Sequence, residues 1–167
     1  MILEIELAPK SQRPVLRQLM EYYCYDFSEY DDLEVNEHGY YGYSYLDYYW
    51  TEEDRHPYLI KVDGNLAGFV LVNQHFVKLE GPGHTIAEFF IMRKYRKQGL
   101  GKRVAFEIFD KYGGAWEVAQ QLSNKPSLIF WEKVIAAYVG DWSKVEVHQL
   151  EKKQVLILKG NKHEELS

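Results

Sequence analysis

One cysteine in 167 residues, Cys24, leaves no intrachain disulfide and no thiolate zinc knuckle to build a fold around. Metal ligands are equally sparse. The six histidines are scattered with no pair at ligand spacing, so no metal is expected. Long apolar runs are missing too: none approaches the roughly 20 residues that span a bilayer. Met1–Leu7 interleaves Glu4 and Glu6 with its apolar residues, where a secretory signal would carry a continuous apolar core. A cytoplasmic location and no membrane partner are the expectation. There are no repeats and no low-complexity linker, and 46% hydrophobic with 27% charged residues excludes a disordered or collagen-like chain. One folded domain is expected over 1–160, with 161–167 a flexible tail.

Positive charge is missing from one long stretch. Residues 21–54 hold eleven Asp or Glu and no Lys or Arg, whereas the rest of the chain sets twenty Lys and Arg against fourteen acids. Ten of the fourteen tyrosines fall in the same stretch. Acid interleaved with aromatic repels nucleic acid, which is excluded as a partner there, and attracts cations through charge and ring faces. Asp26 and Tyr30 are therefore candidate contacts for a cationic substrate. The alternative is that the tyrosines pack on amphipathic helices while the acids solvate an outer face.

Periodicity outlines the elements. Met1–Leu7 reads as a strand ended by Pro9. From about Ser11 to Tyr30, Leu16, Leu19, Met20, Tyr23 and Phe27 recur at three- and four-residue steps, with Pro14 tolerable only in the first helical turn. Gly39–Trp50 fits either a short helix or an aromatic loop. After Pro57, Tyr58–Val62 and Leu66–Val72 flank Asp63-Gly64-Asn65, a hairpin signal. A third, mostly apolar strand covers Thr85–Met92. A basic loop, Arg93–Gly101, leads to a helix ending at Tyr112, with Gly113-Gly114 as its stop. Ala115–Gln120 is a strand. Asn124 reads as the N-cap of a helix with Pro126 in its first turn and Ile129, Phe130, Val134 and Ala137 periodic. Val145–Leu150 and Val155–Lys159 close the chain as strands.

The chemistry concentrates in Arg96-Lys97-Gln98-Gly99-Leu100-Gly101, between a buried strand and a helix. Two glycines let backbone N–H groups turn inward at a helix N-terminus, where the macrodipole favours an anion. Arg93, Lys94, Lys102 and Arg103 add positive surroundings. No Gly-Lys-Ser/Thr follows, so this is not a Walker loop, and the full GxGxxG of a dinucleotide fold is lacking.

With the strand Ala87-Glu88-Phe89-Phe90-Ile91-Met92 before it, this loop closely resembles the acetyl-CoA-binding core of the GNAT N-acetyltransferases, whose signature is Arg/Gln-x-x-Gly-x-Gly/Ala after a strand. The hairpin at Asp63-Gly64-Asn65, the stretch Asn124 to Lys133 and the two last strands fall where that family has its hairpin, its second CoA-contacting helix and its terminal strands. The resemblance implies an α+β fold: a mixed, mostly antiparallel sheet of about seven strands, helices on both faces, and a splayed strand pair that binds CoA. It implies that the backbone of Phe90, Ile91 and Met92 pairs with the pantetheine arm. Arg96, Lys97, Gln98, Gly99, Leu100, Gly101 and Lys102 would hold the pyrophosphate, and Asn124 would lie near the thiol end. Acetyl-CoA and an amine acceptor are the implied partners, with a homodimer as a further possibility.

The family's reaction is attack of an amine on the acetyl thioester, which needs a base for the ammonium proton and is helped by an acid for the thiolate. Glu88, an ionisable residue in an otherwise apolar strand, is the candidate base and an acceptor contact, and burial would raise its pKa. It also reads as a structural carboxylate. His84 is a second base candidate. Where many family members carry an acidic tyrosine this chain has Trp131, whose indole cannot protonate sulfur. Tyr138 is about 10 Å further along the same helix by helical rise, too far for simple replacement. Cys24 reads as a buried small hydrophobe. The readings left open are an acetyltransferase for a small cationic amine, one for a protein or peptide amine, and a non-catalytic acyl-CoA-binding regulator.

Overall fold

The computed structural model describes residues 1–159, so the tail expected over 161–167 lies outside the described residues. Seven strands form one mixed sheet in the order β1-β2-β3-β4-β5-β7-β6. The chain gathers into two compact units that share β4, His84–Ile91: its first half, through Ala87, belongs to one and its second, from Glu88, to the other.

The first unit holds β1 (Leu3–Leu7), α1 (Arg13–Phe27), β2 (His56–Val62), most of β3 (Asn65–Asn73) and the second half of β4. Antiparallel ladders join β1 to β2 and β2 to β3. The β2–β3 turn centres on Asp63 and Gly64, both with positive φ (51° and 81°). Asn65 starts β3. Between Ile60↔Gly68 and Lys61↔Leu66 the register slips, leaving Ala67 as an extra residue on β3, and its carbonyl accepts the Met92 N–H at 2.8 Å. From Ala67 to Val72 β3 is buried, as befits a central strand covered on both faces. Pro57 lies inside β2, where its carbonyl accepts the Ala8 N–H. Helix α1 is shorter than its periodicity suggested: a 3-10 turn over Lys10–Gln12 precedes it, Pro14 sits in its first turn, and Ser28 caps its end. Leu16, Leu19 and Met20 form its buried stripe. Residues 39–45 are irregular and lead into one 3-10 segment, Leu46–Trp50, that buries Leu46 and Tyr49.

The second unit holds the first half of β4, α2 (Leu100–Tyr112), β5 (Trp116–Gln121), α3 (Lys125–Val139), β6 (Val145–Gln149) and β7 (Lys153–Leu158). Strand β4 runs parallel to β5 over three rungs, His84↔Trp116 to Ile86↔Val118, while β5–β7 and β6–β7 are antiparallel. Helix α2 buries Leu100, Val104, Ala105, Ile108 and Phe109 and stops at Gly113, with φ 65°. Helix α3 buries Val134 of the periodic set and half-buries Phe130, but its inward face is rotated from the rest of that set. Trp131, Val134 and Ile135 are buried, whereas Ile129 and Ala137 are exposed. The helix is apolar on most sides, so several phases fit the pattern equally and packing chooses among them. Deep in this unit, the 1%-exposed Glu117 accepts the backbone N–H groups of Val77, Lys78 and Leu79, each at 2.7 Å.

Asn124 caps α3 as expected, its Oδ1 accepting the Ser127 N–H at 3.1 Å. Replacing it with alanine removes that acceptor and is expected to cost about 1 kcal/mol, read as a lowered midpoint in urea unfolding with an unchanged slope.

Candidate active site

Glu88 stands in the second half of β4, half-buried. Its two carboxylate oxygens meet different phenols: Oε2 accepts from Tyr23 at 2.5 Å, and Oε1 from Tyr43 at 3.3 Å. Tyr23 is fixed by rings. It meets Phe69 and Phe90 edge-on, each with centroids 5.6 Å away, and lies tilted against Phe27 one helical turn along α1. Tyr43 has no helix or strand to hold it. Its loop is gripped instead by Glu21 of α1, whose carboxylate accepts the amides of Tyr41 at 2.7 Å and Gly42 at 3.1 Å.

Burial, and after it the charge of Glu88, pushes both phenols above their ordinary range. They therefore stay protonated at any working pH and donate, while Glu88 accepts. Each donation favours the ionised carboxylate. Burial likewise pushes the Cys24 thiol up to about 11, with the charges of Glu21 and Glu88 adding to it. At pH 8 only on the order of 0.1% of it is thiolate, so alkylation by iodoacetamide is expected to be slow there and to accelerate steadily toward pH 11.

Three acids of the 21–54 stretch pair with cations of the chain. Asp26 Oδ1 accepts from Arg93 Nη2 at 2.7 Å and Nε at 3.2 Å. Asp47 pairs with Arg17 at 3.0 Å and Arg13 at 3.6 Å. Glu52 holds Arg55 at 2.7 Å, and the guanidinium of Arg55 lies 5.5–5.9 Å from the ring centres of Tyr45, Tyr48 and Tyr49. Part of the expected acidic aromatic wall thus carries a cation of its own. Tyr30 lies in the turn that ends α1.

In the second unit, Lys97 and Gly99 both take the left-handed conformation (φ 63° and 75°), so the loop coils tightly into α2. Its N-cap, Gly99, has no side chain with which to cap it. A Cβ on Gly99 would meet nothing within 4 Å. Exposed space, the first-turn amides of Leu100, Gly101 and Lys102, and Arg96 and Lys97 alongside suit an anionic ligand. The Lys102 ammonium rests 5.5 Å from the Phe106 ring centre. His84 is a packed ring, 4.3 Å from Tyr112 and 5.4 Å from Trp116 between centroids. Trp131 is buried against Phe109 and Phe130, and Tyr138 donates to Asp110 at 2.7 Å.

Residues 16–136 match the family model of the Acetyltransferase (GNAT) family. The chain belongs to the GNAT acetyltransferase family. As a GNAT it is an acetyl-CoA-dependent N-acetyltransferase, and its sheet is the one seen in solved GNAT structures. An acetyltransferase from Thermus thermophilus aligns with TM-score 0.69 at 13% identity, covering 95% of this chain and 97% of that one. Spermidine N-acetyltransferase from Vibrio cholerae, solved with CoA and spermine, aligns with TM-score 0.67 at 9% identity over 99% and 98%. The PaiA N-acetyltransferase of Thermoplasma acidophilum, solved with coenzyme A, gives 0.62 at 15% identity over 95% and 99%. No curated protein matches the sequence. Among the described residues no helix of this GNAT is long and apolar enough to cross a membrane.

Sequence reasoning singled out Glu88 but missed Tyr23, Tyr43 and Glu21 around it. The crowding of acids and tyrosines between 21 and 54 was the available signal, and it does not say which tyrosine reaches which acid.

Proposed function

We propose that this enzyme acetylates the primary amine of a small cationic acceptor, with Glu88 as the general base. The observation that carries the reading is the half-buried Glu88 carboxylate with a phenol donor on each oxygen. Bound acetyl-CoA supplies the acetyl group as an activated thioester. Glu88 attracts the acceptor ammonium by charge and takes a proton from it, leaving the lone pair that acylation needs. The two phenols hold the carboxylate in place, so little reorganisation precedes the transfer. Asp26 and Tyr30 are the further acceptor contacts. An ammonium at Asp26 competes with Arg93 for its carboxylate.

On the nucleotide side, the amides of Gln98, Gly99, Leu100 and Gly101, with Arg96, Lys97 and Lys102, hold the pyrophosphate. The backbone of Phe90, Ile91 and Met92 carries the pantetheine arm. Because the Met92 N–H is engaged by Ala67, its part there falls to the carbonyl. Asn124 serves the thiol end with its amide group while its oxygen caps α3. The thiolate leaves without a tyrosine at position 131, where the buried indole packs against Phe109.

The test is release of the CoA thiol from acetyl-CoA against polyamines, aminoglycosides, amino acids and basic peptides, with wild type and Glu88→Gln side by side. Turnover on a small amine that collapses in the variant is the expected result. Turnover confined to peptides overturns the acceptor class, and full activity in the variant overturns the role of Glu88.

A further inference from the structure

Each oxygen of Glu88 accepts from a phenol that α1 carries or helps to hold. Tyr23 of α1 reaches Oε2 directly, and two residues earlier Glu21 holds the loop that presents Tyr43 to Oε1. The grip on that loop is specific in form. One carboxylate takes two consecutive amides, Tyr41 on Oε1 and Gly42 on Oε2, and Gly42 adopts φ +68°, a conformation open to glycine at little cost. The stretch before it is folded on itself by Asn36, whose side chain accepts the amides of His38 and Tyr40, and it makes no hydrogen-bonded strand. The two-amide grip comes immediately before residue 43, whose carbonyl accepts the Leu46 N–H at 3.2 Å and whose ring lies edge-on to Tyr45.

We propose that Glu21 is a positioning residue for the acetyl transfer: by clamping Tyr41 and Gly42 it sets the Tyr43 phenol against Glu88 and so tunes the proton affinity of the base. The inference rests on the reading of Glu88 as base. The titratable and charged groups around the pair include Tyr23, Cys24 and Glu21 on α1, Tyr43 in the loop, and Tyr49 and Arg55 beside Tyr43.

The direction of the effect separates this role from a simple charge effect. A phenol donating to a carboxylate stabilises its ionised form, so losing Tyr43 raises the pH at which Glu88 titrates. Losing the negative charge of Glu21 alone does the opposite, since a nearby like charge disfavours ionisation. A variant that keeps the charge and loses the grip is therefore the informative one. Glu21→Asp retains the carboxylate but falls one methylene short of the amides. Gly42→Ala approaches from the loop side: it alters no charge, meets no neighbouring atom within 4 Å, and strains the left-handed backbone.

The experiment is a carbon-13 NMR titration of the Glu88 side-chain carboxyl in the full chain without substrates, assigned by its loss in Glu88→Gln. It is run on wild type, Tyr43→Phe, Glu21→Asp, Gly42→Ala and the double variant Glu21→Asp/Tyr43→Phe. Tyr43→Phe is expected to raise the midpoint by about one pH unit. Glu21→Asp and Gly42→Ala shift it the same way, and the double variant goes no further than Tyr43→Phe alone. Amide hydrogen exchange at Tyr41 and Gly42 accelerates about tenfold or more in Glu21→Asp. An unmoved midpoint in both single latch variants, or full additivity in the double variant, overturns the proposal, as do unchanged exchange rates. The reading of Glu88 is judged separately, by whether Glu88→Gln abolishes thiol release. The titration can therefore bear out the latch while the base assignment fails, or the reverse.

Discussion

Glutamine in place of Glu88 is expected to lower kcat for amine acetylation by about 10²–10⁴-fold while leaving the KM for acetyl-CoA within about twofold. The side chains are nearly isosteric, and the amide oxygen can still accept from Tyr23, so β4 keeps its place. What disappears is the negative charge that draws the ammonium and the site that takes its proton. The wild-type rate should fall on the acid side as Glu88 becomes protonated, and that limb should vanish in the variant. Steady-state rates from pH 5 to 10 on the fastest acceptor of the panel check both statements. An undiminished rate with an unchanged acid limb would assign the proton to another group.

Alanine at Gly68 is expected to be the most damaging small substitution in the first unit. A Cβ there runs into the carbonyl oxygen of Phe90, with the Phe90 carbonyl carbon at 2.9 Å and the Ile91 Cα at 3.2 Å. These are backbone atoms, so no rotamer relieves the overlap. β3 is buried on both faces around this point, and the Met92 N–H is tied to the neighbouring Ala67 carbonyl. The strands must part, at a cost of roughly 3 kcal/mol by analogy with overpacked cores, which at this chain length lowers Tm by about 10 °C. Phe90 is two residues from Glu88, so activity below Tm should drop as well. Thermal melting followed by circular dichroism, with thiol release measured at 25 °C, tests both. A Tm within about 2 °C of wild type would show that the close approach is slack.

The parts of the fold that were legible in the sequence are those fixed by neighbours along the chain. The Asp63-Gly64 turn, the cap at Asn124 and the glycine stop at Gly113 each depend on a few consecutive residues. The loop at Arg96–Gly101 combines glycines with a following amphipathic helix, again local information. The face of α3 was legible only at Val134, because its apolar residues surround the helix and tertiary packing selects Trp131 and Ile135 beside it. At the site, Glu88 stood out as a lone acid in an apolar strand. Its phenols lie 65 and 45 residues away in the chain and are brought to it by packing. The acidic aromatic stretch was visible as composition, but the cation seated among its rings, Arg55, comes from just past its end and could not be inferred from charge counting.

The grip of Glu117 on Val77, Lys78 and Leu79 bears on how this protein can be engineered. The connection between β3 and β4 has no helix or strand, and by that criterion it invites a spliced reporter peptide or an exchanged loop. Cutting or lengthening it at 77–79 would strand a buried carboxylate and three amides together, a loss of the kind usually met inside a core. Grafts at that point should reduce soluble yield, and a longer connection there needs a replacement set of donors for Glu117.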